Sequence, residues 1–119
     1  MQSRVAEVAE ECTVELAMTI LGGKWKLVIL RHLLTGTRRF GELHRAMAGI
    51  TPRMLTRQLR ELEADGLVRR TVYPQVPPKV EYTVTGLGES LRDITDRLER
   101  WGHWYRERRT GDPPHGQQG

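Results

Sequence analysis

The stretch Gly49 to Arg70, GITPRMLTRQLRELEADGLVRR, decides how the chain is read. Thr51 followed by Pro52 is a helix start, a capping hydroxyl and then proline at the first helical position. Gly66 is the matching stop. Placed at 100° per residue from Arg53, the side chains of Thr56, Arg57 and Arg60 fall at about −60°, +40° and −20°. Leu55, Leu59 and Leu62 fall at about 200°, 240° and 180° by the same count. One face therefore buries and the other presents guanidinium groups. Charges opposite an apolar stripe are ordinary on a surface helix. Glu61, Glu63 and Asp65 are expected off the basic face and toward the C-terminal end, which leaves the first turns free of acids.

Immediately upstream, FGELHRAMAGI repeats Phe40, Leu43, Met47 and Ile50 at helical intervals. Two short helices then meet across a turn of about three residues containing glycine, the sequence form of a helix-turn-helix. Further upstream, TVELAMTIL (13–21) reads as a helix stopped by Gly22-Gly23, and KWKLVILRHLLTG as a short, buried central helix ending near Gly36. Gly22-Gly23-Lys24 is not a phosphate loop, because Met18 stands where the motif needs glycine and Trp25 where it needs Ser or Thr.

Downstream of Gly66 the period changes from helical to alternating. Val68, Arg70 and Val72, then Val80, Tyr82 and Val84, define two strands around a turn from Pro74 to Lys79. From Thr85 a helix is expected, with Leu87, Leu91, Ile94, Leu98, Trp101 and Tyr105 spaced 4, 3, 4, 3, 4. Such a seam needs a second helix, or its own domain, to cover it. The order is that of a mainly α protein with a small β-hairpin wing, a winged helix-turn-helix. The expected division is a flexible N-terminal arm (1–11), one domain (12–109) and a disordered tail (110–119).

Whole-chain properties agree with this reading. At 119 residues, with 38% hydrophobic and 29% charged positions, the chain suits one compact domain. A net charge of +4 and a pI near 9.7 attract polyanions. Only Lys24, Lys26 and Lys79 of the 19 basic residues are lysines. Arginine suits planar, bidentate recognition of phosphate and guanine edges, although a GC-rich coding sequence gives the same skew. No stretch resembles a signal peptide or a membrane span, so a soluble cytoplasmic protein without membrane contact is expected, nucleoid-associated through its partner. His32, His44, His103 and His115 lack metal-ligand spacing, and Ser3 and Ser90 lie in no nucleophile motif. No enzyme activity, metal or cofactor is expected.

These features assign candidate residues. A helix after a tight turn is the element that enters the major groove of DNA, N-terminal residues first. Thr51, Arg53, Thr56 and Arg57 are candidates for base and phosphate contacts, and Arg60 for the backbone. Arg38 and Arg39 precede the third helix and are candidate backbone contacts. Lys79 flanks the wing tip, where cations favour phosphates or the minor groove. Of Arg69 and Arg70, adjacent on a strand, only one can face DNA.

The segments LGGKW, ILRHLLTGTRRFGEL, GITPRMLTRQLRELEADGLV and VPPKVEYTVT resemble the signature of HxlR-type transcriptional regulators, near the MarR group. The resemblance spans roughly Cys12 to Trp104. It implies a bacterial or archaeal homodimer that represses by binding a pseudo-palindromic operator in double-stranded DNA. The recognition helix would be Thr51 to Asp65 and the wing tip Gln75 to Lys79. The N- and C-terminal helices would form the dimer, through Leu16, Ile20, Leu91, Ile94, Leu98, Trp101 and Tyr105. The two recognition helices would then sit about 34 to 36 Å apart.

Several regulators of this type sense oxidants or electrophiles through a cysteine followed by Pro-Val-Glu. Here the run is Cys12-Thr13-Val14-Glu15, with threonine in place of proline. The positive end of a helix favours nucleophilic reactivity at Cys12, and Glu10, Glu11 and Glu15 oppose it. As the single cysteine, Cys12 can bridge only to another chain or to a small thiol. Two further readings stay open: an aromatic effector held by Trp101, Trp104 and Tyr105, and a winged helix that binds protein rather than specific DNA.

Overall fold

Leu55, Leu59 and Leu62, the apolar face of the helix that opened the sequence reading, are almost fully buried and lie in the middle of the core. They belong to α4 (Pro52–Ala64) in a computed structural model that describes residues 12–110. Before α4 come α1 (Thr13–Leu21), α2 (Lys26–Leu33) and α3 (Phe40–Ala46). After it come β1 (Val68–Tyr73), β2 (Lys79–Val84), α5 (Gly86–Glu89) and α6 (Arg92–Thr110). The proposed arm, residues 1–11, and the tail beyond Thr110 lie outside the described residues. Thr110 itself ends α6, one residue past the expected domain boundary.

The core draws on the helix faces that periodicity selects, except that on α2 Leu30 is fully buried and Val28 exposed, and on α1 only Leu21 is fully inside. Ile29, Leu30 and Leu33 of α2 meet Leu43 of α3 and the three α4 leucines, with Met47, Ile50, Leu67, Val68 and Tyr82 closing the sides. Burying a leucine or isoleucine of this kind contributes roughly 1.5–3 kcal/mol each, so α4 is fixed to the body by its own leucines.

Both ends of α4 are set by local chemistry. The Thr51 hydroxyl accepts a hydrogen bond from the Met54 amide at 3.1 Å, and Pro52 occupies the first turn. At the other end Leu67 N–H donates to Leu62 C=O at 3.0 Å, and Gly66 N–H to Glu63 C=O at 3.0 Å. That pair of bonds is a Schellman motif, and Gly66 takes the left-handed φ of 82° that it requires. The turn between α3 and α4 runs from Met47 to Thr51, somewhat longer than expected, and Gly49 reverses it at a φ of 92°.

β1 and β2 pair antiparallel with Val68 opposite Val84 and Tyr73 opposite Lys79. Arg38 adds a one-residue third strand, its N–H donating to Tyr82 C=O at 3.1 Å and its C=O accepting from Tyr82 N–H at 2.8 Å. The hairpin root is thereby fastened to the loop before α3. Alternation correctly places Val68 and Tyr82 inside, but Val72 is half-exposed while Val80 opposite it packs against the core.

One expected helix is two. The single helix drawn from Thr85 is interrupted at Ser90 and Leu91, between α5 and α6. The Thr85 hydroxyl caps α5 by accepting from Gly88 N–H at 3.1 Å. Gly88 then packs so closely on the Leu67 carbonyl that an added Cβ would lie 2.4 Å from its oxygen. The chain leaves α5 through bonds that span three residues, Ser90 N–H to Leu87 C=O and Leu91 N–H to Gly88 C=O. Leu87 is thus displaced from the seam of α6, and the stripe proper begins at Leu91.

That stripe divides in two. Leu91 packs on the body, whereas Ile94, Leu98, Trp101 and Tyr105 are 46%, 47%, 57% and 45% exposed. The seam does not close over its own domain. Val14, Met18 and Leu87 add to the uncovered apolar surface, and of the three Leu87 belongs to the seam read from sequence. Of the expected dimer residues on α1, Ile20 instead packs against the core and Leu16 is half-buried.

α6 is joined to the body by charge as well. Arg31 of α2 forms a two-point ion pair with Glu99, its Nε donating to Oε1 at 3.1 Å and its Nη2 to Oε2. The Arg92 guanidinium donates to Leu34 C=O at 3.1 Å. The hydrogen bond from Arg31 holds the Glu99 carboxyl below its ordinary value of 4.5. Because this pKa is depressed by folding, the tether is present at neutral pH and is lost as pH falls through the lowered value.

Candidate nucleic-acid interface

The basic face of α4 points away from the core. Arg53, Thr56, Arg57 and Arg60 line one shallow depression together with Glu61, and the three arginines are exposed while Thr56 is half-buried. Exposure follows from the 100° geometry that buries the leucines on the other side. Thr51 sits at the end of this row, its hydroxyl oxygen occupied by the cap and its proton still available to an acceptor.

A second groove, about 280 Å³, runs between α4 and the wing and is lined by Thr56, Leu59, Arg60, Glu63, Arg70 and Tyr82. This settles which of the paired strand arginines faces the helix. Arg70 stands opposite Tyr82 in register, and paired residues share a face of the sheet. Tyr82 points into the body, so Arg70 extends along the α4 side and Arg69 along the other. Period-two alternation applied to the buried Tyr82 was the signal that could have chosen Arg70 from sequence.

The acids are closer to the arginines than the helical count suggested. Glu61 lies one turn beyond Arg57, with Oε2 3.8 Å from Arg57 Nε, and Glu63 shares the groove with Arg60. Spacings of three and four residues make side chains neighbours on a helix, which is why acids thought to lie off the face border it.

Other candidate residues have partners in their own loops. Arg38 donates to the Thr35 hydroxyl at 2.8 Å and to Thr37 C=O at 3.1 Å, so its guanidinium braces the turn before α3. Arg39 is exposed at the N-terminus of α3, and its amide donates to Glu42 Oε1 at 2.8 Å. Lys79 Nζ lies 3.4 Å from Glu81 Oε2 and 5.0 Å from the Tyr73 ring centroid, and Tyr73 donates its hydroxyl proton to Glu81. The wing's lysine is therefore neutralised within the hairpin, and the tip beyond it offers Pro74, Val76, Pro77 and Pro78.

Among the described histidines, His44 and His32 are held by their surroundings, and the exposed His103 lies 3.9 Å from Glu99 Oε2. His44 Nε2 bonds Ile50 C=O at 3.0 Å and its ring stacks on Phe40. His32 is pushed below its ordinary value first by burial and then by Arg31 and Arg38. Among the described residues no cluster of His, Cys, Asp and Glu is arranged to hold a metal, and no helix is long and apolar enough to cross a membrane.

A wing packed beside a helix that follows a tight turn and carries outward arginines defines the class of DNA-binding helix-turn-helix transcriptional regulators. The HxlR-like helix-turn-helix family model matches residues 20–110, and the chain belongs to that family. It is 54% identical over 100 residues to the uncharacterized HTH-type transcriptional regulator YtcD of Bacillus subtilis, a match covering 84% of this chain and 79% of the relative. Its fold is similar to the redox regulator HypR in its oxidized form (TM-score 0.75, 51% identity, 77% of this chain and 95% of that one). The likeness to HypR in its reduced form is comparable, with a TM-score of 0.77 and 49% identity over 81% of this chain and 95% of the other. These relatives are regulators rather than enzymes.

Proposed function

We propose that the protein is a sequence-specific regulator of transcription that binds a pseudo-palindromic operator as a homodimer and represses by occupying it. The observation that carries this reading is the α4 face: Arg53, Arg57 and Arg60 exposed beside Thr56, on a helix whose other face is buried. Arginines near the start of the helix are suited to guanine edges, and Arg60, Arg70 and Arg39 to flanking phosphates. The uncovered stripe on α6 supports a two-fold dimer, which would pair two such faces on successive turns of the duplex.

The test is selection of bound sequences from a random duplex library by the full chain. An enriched inverted repeat, bound on the order of 10³ times more tightly than random duplex at moderate salt, is the expected result. Weak binding with no enriched sequence would leave the protein-interaction reading in its place.

A redox response through Cys12 is the second reading. Cys12 is exposed at the N-cap of α1, a helix that carries the uncovered Val14 and Met18, and the HypR relative is a redox regulator. Two chains meeting there would bring two thiols to one interface. Diamide is expected to release operator DNA from the native protein and not from Cys12→Ser, with a disulfide-linked dimer seen by mass spectrometry. Equal release from both would assign the response elsewhere.

A further inference from the structure

Lys26 of α2 is a lysine only 5% exposed, and lysines are almost never buried without a partner. Its partner is on α4: Lys26 Nζ lies 2.6 Å from Glu61 Oε1. The other carboxylate oxygen of Glu61 faces Arg57 Nε at 3.8 Å. One carboxylate thus links the central helix of the body to an arginine of the DNA-reading face.

We propose that Lys26 and Glu61 are positioning residues for specificity, with Lys26 fixing the Glu61 carboxylate and Glu61 orienting Arg57 for a base edge. The inference rests on the DNA-reading role given to α4 above. A lysine in this place does two things that a leucine would not. It cancels the charge of an acid that borders a surface facing phosphates, and it holds that acid in one rotamer by a short charge-assisted bond. Arg57 is otherwise free to move, its side chain being 67% exposed. A long side chain loses rotamer freedom when it is ordered, so prior orientation lowers the cost of a bidentate contact. The contact at 3.8 Å is made through Nε, which leaves the terminal nitrogens to reach outward.

The experiment compares Glu61→Gln, Lys26→Met, Arg57→Ala and the double variant Glu61→Gln with Arg57→Ala on the selected operator and on random duplex, with thermal unfolding followed in parallel. Gln keeps an oxygen for Lys26 but loses the charge toward Arg57. Glu61→Gln is expected to lower the ratio of operator to random affinity roughly tenfold, with random-duplex affinity unchanged or raised by loss of an acid. In the Arg57→Ala background the same change should alter the ratio by less than about twofold, because the two residues act as one unit. Lys26→Met keeps the carboxylate but frees it, and should give a smaller loss of the ratio. A merely structural pair would instead lower the unfolding temperature and weaken both duplexes alike. An undiminished effect of Glu61→Gln without Arg57 overturns the inference. If the native protein itself enriches no sequence, the DNA-reading role fails and the inference fails with it.

Discussion

Replacing Arg53 and Arg57 together by alanine is expected to cost about 2 to 5 kcal/mol of operator affinity and to flatten sequence preference at the positions they read. A single bidentate arginine contact to guanine is worth about 1–3 kcal/mol of discrimination. Two of them would sum to about 6 at most, and the estimate falls short of that because the residues are four apart on one helix and share the Glu61 surroundings. Binding to random duplex should fall less, and its salt dependence should drop by about one to two in the slope of log affinity against log salt. The fold is not at risk, since both side chains are exposed and alanine is the better helix former. Titration of operator and random duplex by the double variant, at two salt concentrations, measures all of this. Equal losses on the two duplexes would show that both arginines touch only phosphate, and base reading would then have to move to Thr51, Thr56 or the wing.

The features readable in the sequence were those fixed by neighbours along the chain. Thr51-Pro52 and Gly66 mark the ends of α4 because capping needs only residues two to five positions away. The leucine face was readable for the same reason, since helical geometry makes it a local property. What escaped depends on contacts between distant segments. The break at Ser90 and Leu91 lies just past the close approach of Gly88 to the Leu67 carbonyl, a contact between distant segments that no helical count contains. Lys26 and Glu61 stand 35 positions apart in sequence on different helices, so periodicity treats both as solvated charges when one is buried. Lys79 is an intermediate case. Period-two spacing puts it on one face with Glu81, so its ion-pair partner within the hairpin is legible in the sequence.

Trp101→Asp is expected to dissociate the proposed homodimer at micromolar concentration and to lower operator affinity by a factor on the order of 10² to 10⁴, the gain that linking two binding units provides. Among the described residues the ring of Trp101 lies beside those of Trp104 and Tyr105 on its own helix, with centroids 6.2 and 5.2 Å away. It is 57% exposed, a large apolar surface left uncovered by the described residues. Ile94, Leu98 and Tyr105 continue the same uncovered line at spacings of four and three, the pattern of a helix pair. A large aromatic in the middle of such a line is the residue type whose loss weakens an interface most, and an aspartate adds an unpaired charge. Because α6 is held to the body near its start by Arg92 and by the Arg31–Glu99 pair, the single-chain fold should persist, with an unchanged circular dichroism spectrum. Sedimentation reports the monomer, and binding to an isolated half-site should match that of the native chain, since α4 is untouched. A variant that stays dimeric and keeps its operator affinity would mean that the stripe on α6 has another occupant. The aromatic cluster of Trp101, Trp104 and Tyr105 would then be tested as the site of a small apolar effector, through quenching of its tryptophan fluorescence.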